Sequence, residues 1–128
     1  AFVEEGTSLH YYESIRASAP DEDLLEMAVN LFPVNTDPIV STDSVYRQTF
    51  RKEQLWREEG AVGVDMETSA VFSISRCLGL RAAALLMVSD IHPTHQDAPK
   101  WEWHMTREMK YALAERGLAL ARRLQETK

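Results

Sequence analysis

Three carboxylates carry the chemistry that this chain could do: Asp65 and Glu67 in Gly63-Val64-Asp65-Met66-Glu67-Thr68-Ser69-Ala70, and Asp90 in Val88-Ser89-Asp90. An ionised carboxylate accepts hydrogen bonds from two neighbouring hydroxyls and offsets positive charge on the group it holds. A protonated one can give its proton to a ring nitrogen as a bond breaks. Read from the residues alone, each acid also has a plain structural role. Glu67 suits the first turn of a helix, where the dipole favours acids, and Ser89 with Asp90 could start a turn or cap the next segment.

The elements that must position these acids are legible around them. Ala61 to Val64 reads as a buried strand, and from Met66 the pattern turns helical, with Ala70, Val71, Ile74 and Leu78 at three- and four-residue steps. Gly79 is placed to end that helix, and the apolar run Ala82 to Val88 reads as a second strand leading into Asp90. Strand, helix, strand predicts a crossover joining two parallel strands, with the acids at their carboxyl ends. In open α/β sheets that edge is where ligands bind.

Val64-Asp65-Met66-Glu67-Thr68-Ser69-Ala70 followed by Val88-Ser89-Asp90 resembles the paired signature of the nucleoside phosphorylase family, which includes purine nucleoside and uridine phosphorylases and related nucleosidases. Glu5-Gly6-Thr7-Ser8-Leu9-His10-Tyr11 and Ser41 to Tyr46 resemble two further family segments, so nearly the whole chain is covered. What it resembles is the second half of a family member. The resemblance implies an α/β fold, part of a three-layer α/β/α sandwich with a mixed sheet. It also implies reversible phosphorolysis of a nucleoside, with phosphate as co-substrate and no other cofactor.

Glycosidic bond cleavage passes through a ribose with oxocarbenium character, so the sugar must be held and the departing base relieved of charge. By resemblance Glu67 holds the ribose hydroxyls, with Met66 beneath the sugar and Val64, Asp65 and Ser89 lining the pocket. Asp90 is the acid that shares a proton with the five-membered ring of a purine. Val45 falls in the base-facing segment Ser41 to Val45, where the family commonly has an aromatic residue.

Two other positions depart from the family pattern. Asp65 stands where Glu is frequent, and Trp103 stands where purine-specific relatives supply a basic partner for the aspartate. Arg47 and Gln48 lie near the positions with which uridine-specific relatives read a pyrimidine, at a different spacing; read from the residues, both are surface groups. Purine and pyrimidine therefore both stay open. His92, His95, Asp97 and His104 lack the one-face register of a zinc motif, and Pro93 excludes a regular helix through them, so no metal is expected.

Composition narrows the partners. The chain has 128 residues, 45% of them apolar, enough for one domain with a core of its own. A formal charge of −6 argues against a general nucleic-acid binder, which needs a basic face. No apolar run reaches the roughly 18 to 20 residues that cross a bilayer, and no signal-peptide pattern is seen, which fits a cytoplasmic protein. The single cysteine, Cys77, allows no internal disulfide and reads as buried packing.

Ala1-Phe2-Val3 reads as a strand entered in mid-fold, hence a truncation product expected to dimerise, swap, or associate with a missing half. Pro20 to Asp23 predicts a helix start, with Leu24, Leu25, Ala28, Val29 and Leu31 as its apolar face. A strand is expected over Ile39 to Val45, then a loop and short surface helix over Tyr46 to Glu59. A loop over the ligand edge is expected from Ile91 to Lys100, and a long helix from Trp101 to Glu126 covering a sheet face.

The family's anion site comes from the half without a counterpart here, and Arg16, Arg47 and Arg51 match no phosphate motif. Three readings remain: a phosphorylase half active when completed, a nucleosidase in which water replaces phosphate, and a non-enzymatic piece that binds nucleoside or oligomerises.

Overall fold

In a computed structural model, which describes residues 1–95, 97 and 100–126, three short strands form a parallel sheet in the order β1 (Phe2–Glu4), β2 (Ile39–Thr42), β3 (Gly63–Asp65). Phe2 pairs with Val40 and Val40 with Val64, so β1 and β2 end level at Glu4 and Thr42, and β3 ends one position earlier, with Asp65 opposite Ser41. Helices connect them: α1 (Glu22–Leu31) and α2 (Phe50–Glu58) between strands, and α3 (Thr68–Cys77) after β3. The α/β class is thus observed. The strands lie in this parallel sheet and in a separate antiparallel pair, β4 (Asp90–Ile91) with β5 (Glu102–Trp103), where one mixed sheet was expected.

Local chemistry sets the helix bounds. The Asp21 carboxylate caps α1 by accepting from the Leu24 amide at 3.1 Å, and Thr49 caps α2 by accepting from the Lys52 amide at 3.3 Å. Gly79 adopts φ +67° beyond α3, and the Leu80 amide closes back on the Ser75 carbonyl at 2.8 Å, the Schellman arrangement that a left-handed glycine permits. The apolar core is small: Val40, Trp56 and Ala61 cluster, with Phe2 against them. Trp56 therefore makes α2 a packed element and not only a surface helix.

Several expectations need correction. Ala82 to Val88 forms no strand, so the two-strand crossover is not made. Among the described residues the run's one backbone hydrogen bond is from the Asp21 amide to the Ala82 carbonyl at 2.8 Å. A strand exists by virtue of a ladder partner, and this run has none; Leu86 and Val88 stay exposed. β2 stops at Thr42 because the Asp43 carboxylate turns to the Gly6 amide at 2.7 Å, and Val45–Arg47 becomes a 3-10 turn.

The last helix, α4 (Arg107–Glu126), begins later than expected, since Glu102 and Trp103 pair with β4. It has no fully buried residue, and its main contact is with α1 and not with the sheet. Cys77 is exposed, because α3 buries only Thr68, Ser69, Phe72 and Ser73 and the cysteine lies in the last turn beyond them. Of the loop expected from Ile91 to Lys100, Ile91 is strand, continuing from Asp90, while Gln96, Ala98 and Pro99 lie outside the described residues.

Candidate active site

Where the three parallel strands end, a polar network ties the sheet to α3. The buried Glu5 carboxylate accepts from the Ser8 hydroxyl at 2.5 Å, the Ser8 amide at 3.0 Å and the Ser69 hydroxyl at 2.8 Å. Burial pushes the Glu5 carboxyl up, but the hydrogen bonds from Ser8 and Ser69 outweigh it and hold the group below the ordinary carboxylate range. Ser73 adds its hydroxyl 2.8 Å from that of Ser8. Glu5 is thereby a structural anion, and every one of these partners is a small hydroxyl that lets α3 approach the strands closely.

Asp65 is used in the same way. Its carboxylate accepts from the Ser41 hydroxyl at 2.6 Å, from the Thr68 amide at 3.2 Å and from the Thr68 hydroxyl. Ser41 in turn accepts from the Ser69 amide at 2.8 Å. Asp65 thus satisfies the free Thr68 amide at the start of α3 from outside the helix, and Ser41 satisfies that of Ser69.

Glu67, two residues on, is left to face solvent: among the described residues its carboxylate accepts only from the adjacent Met66 amide, at 3.3 Å. Val64 and Met66 are exposed beside it, and Val45 is exposed in its turn. The strand-to-helix junction thus presents one uncommitted carboxylate at the carboxyl edge of a parallel sheet.

Asp90 belongs to a second cluster. Its Oδ1 accepts from the Ser89 hydroxyl, and its Oδ2 accepts from the Trp101 indole N–H at 2.8 Å and lies 3.5 Å from His92 Nε2. His92 Nδ1 is 3.1 Å from Glu53 Oε1, and the Gln48 side-chain amide is 2.9 Å from that same oxygen. The ring of His92 meets that of Trp101 edge to face at 5.4 Å. A cavity of about 300 Å³ opens between Gln48, Thr49, Phe50, Glu53, His92 and Pro93. Among the described residues no hydrogen bond or ion pair joins this cluster to Glu67.

The family model described as the phosphorylase superfamily matches residues 1–124. The chain belongs to the phosphorylase superfamily. Among curated proteins, it is 33% identical over 93 residues to a guanosine phosphorylase of Halorubrum lacusprofundi, a match covering 69% of this chain and 39% of that protein. It is 35% identical over 79 residues to a purine nucleoside phosphorylase DeoD-type 2 of Vibrio cholerae, covering 58% of this chain and 34% of the relative. A purine nucleoside phosphorylase DeoD-type of Clostridium novyi is 29% identical over 98 residues, covering 71% of this chain and 42% of the relative. The matched part is thus less than half the length of each relative.

Against that family background, Trp103 pairs with Asp90 in the β4–β5 ladder and is exposed, while Ser89, Trp101 and His92 bring their side chains to the Asp90 carboxylate. Arg16, Arg47 and Arg51 are exposed. Glu53 is the residue that sequence reasoning passed over. Its spacing of three from Trp56 put both on one helix face, and both are buried, at 6% and 5% exposure.

Proposed function

We propose that this chain is the ribose- and base-binding part of a nucleoside phosphorylase, catalysing reversible phosphorolysis of a nucleoside to free base and pentose 1-phosphate. The observation that carries this reading is the uncommitted carboxylate of Glu67 at the carboxyl edge of the parallel sheet. One such group can accept from both ribose hydroxyls and offset the positive charge that grows on the sugar as the glycosidic bond lengthens. Asp90 supplies the proton to the departing base, and Val64, Met66, Val45 and Ser89 contribute contact surface. Asp65 contributes indirectly, by holding the start of α3.

Phosphate is the co-substrate, and it requires an anion site of amides and arginines. That site comes from a second chain or a further segment, which also completes the three-layer α/β/α sandwich. The apolar run Ala82 to Val88, which has no ladder partner among the described residues, supports such an assembly, because an unpaired apolar run is a template for pairing. The relatives named as purine nucleoside phosphorylases favour a purine substrate.

Base release from inosine, adenosine and uridine by the purified chain, with and without phosphate, tests the reading, with Glu67→Ala as control. Phosphate-dependent release that disappears in the variant is expected. Release independent of phosphate would replace phosphorolysis by hydrolysis, and no release would confine the chain to binding until its complement is added.

A further inference from the structure

We propose that Glu53 and His92 form the proton-holding device of Asp90, with Glu53 fixing the Nδ1–H tautomer of His92 so that the Nε2 lone pair shares a proton with the Asp90 carboxyl. The inference rests on the phosphorolysis reading for its catalytic meaning, and on geometry for its substance.

His92 lies between two carboxylates that come from different elements. Glu53 of α2 approaches Nδ1 at 3.1 Å and Asp90 of β4 approaches Nε2 at 3.5 Å. A neutral imidazole has one donor and one acceptor nitrogen, so one of the two carboxylates must face a lone pair. The side chain of Glu53 is only 8% exposed, against 20% for that of Asp90. A lone pair against the more buried anion is the costlier arrangement, since poor solvation leaves the repulsion unscreened.

The ring proton therefore belongs on Nδ1, toward Glu53. The Gln48 side-chain amide donates to Glu53 Oε1 at 2.9 Å, and its nitrogen lies 3.2 Å from Nδ1, slightly farther than the 3.1 Å at which Glu53 Oε1 approaches that ring nitrogen. Arg57 lies 3.5 Å from the other oxygen of Glu53. The hydrogen bond at one ring nitrogen thus decides what the other presents.

Nε2 then meets Asp90 Oδ2 with a lone pair on each side, and a proton between them removes the repulsion. Ser89 and the Trp101 indole donate to the same carboxyl and fix its orientation. When a nucleoside is bound, the glycosidic C–N bond breaks with its electron pair going to the base, and the stored proton passes through Asp90 to the base ring nitrogen. A phosphate oxygen bonds to the sugar carbon, and the proton that hydrogen phosphate loses in becoming an ester restores the one given up. His92 acts through Asp90 and is a positioning residue. It stands two positions from the aspartate, and Trp103 need not supply a charge.

The test has two arms on the full chain. Imidazole ¹⁵N resonances assigned to His92 report the tautomer directly. The expected result is an Nδ1–H ring at neutral pH whose preference weakens in Glu53→Gln and whose Nε2 resonance moves in Asp90→Asn, with backbone amide spectra confirming the fold of each variant. An Nε2–H ring, or ring resonances unmoved in both variants, overturns the proposal.

In the kinetic arm, His92→Gln is expected to lower kcat on inosine by about 100-fold, the scale of a lost general acid. It should leave kcat on 7-methylguanosine, whose base is already cationic, unchanged. Equal loss on both substrates overturns the proposal. Absence of turnover on any nucleoside would count against phosphorolysis by this chain, and the ring measurement would then decide the tautomer alone.

Discussion

The Ser69 hydroxyl, in the first turn of α3, donates to Glu5 Oε1 at 2.8 Å across 64 positions of sequence. That bond fastens the helix after the Asp65-Met66-Glu67 junction to the segment leaving β1. Because Ser69 also donates its amide to Ser41, at 2.8 Å, one serine ties all three strand ends together.

Glu5→Gln should therefore destabilise the fold by about 2 kcal/mol, the scale of a buried group left partly unsatisfied, measured by urea unfolding. The pH dependence has a definite sign. Glu5 is held below its ordinary range in the folded chain, so its contribution is fully present above the unfolded carboxyl value, near pH 4. It is lost as pH falls through the lower folded value. The gap between the parent chain and Glu5→Gln should close on acidification, and a gap constant from pH 7 downward would contradict the assignment.

Asp65→Ala removes the acceptor that serves the Thr68 amide and the Ser41 hydroxyl together. The expected cost is about 1 to 2 kcal/mol, the range for losing a helix cap, with α3 amides showing faster hydrogen exchange than those of α1. Equal change in both helices would mean that Asp65 acts on the whole fold and not on the start of α3.

The strand-to-helix junction and the glycine stop at Gly79 were legible because both are local events: a change of period and a residue with access to positive φ. The failure at Ala82 to Val88 has a different cause. Apolar character says that a run can be a strand, whereas pairing is decided by a neighbour that no local pattern encodes. The roles of Glu5 and Asp65 were hidden for a related reason, since an acid near small hydroxyls reads alike as ligand site or buried network until the hydroxyls are seen to converge. Asp90, Glu53 and His92 are brought together by packing of the segment after Ser89 against α2, a long-range contact.

Gly79 has open space where a Cβ would stand but a φ of +67°. Gly79→Ala should cost about 1 kcal/mol from backbone strain alone, without a packing defect, and thermal unfolding with an unchanged near-UV spectrum would register it. A gain in stability would mean that the turn after α3 rearranges, releasing Leu80 from Ser75.

Glu67 separates stability from chemistry most cleanly. Its carboxylate is exposed and, among the described residues, accepts only from the amide next to it. Removing it should move stability by no more than about 0.5 kcal/mol, as for ordinary surface substitutions. If the group offsets charge on the ribose in the transition state, Glu67→Ala should lower kcat/KM for phosphorolysis by about 100-fold or more, the scale of lost electrostatic stabilisation. Glu67→Gln keeps hydrogen-bonding capacity while losing charge, so it should retain ribose binding better than alanine yet recover little of kcat. A glutamine variant as fast as the parent would assign Glu67 to holding hydroxyls only. The positive charge on the sugar would then have to be met by phosphate.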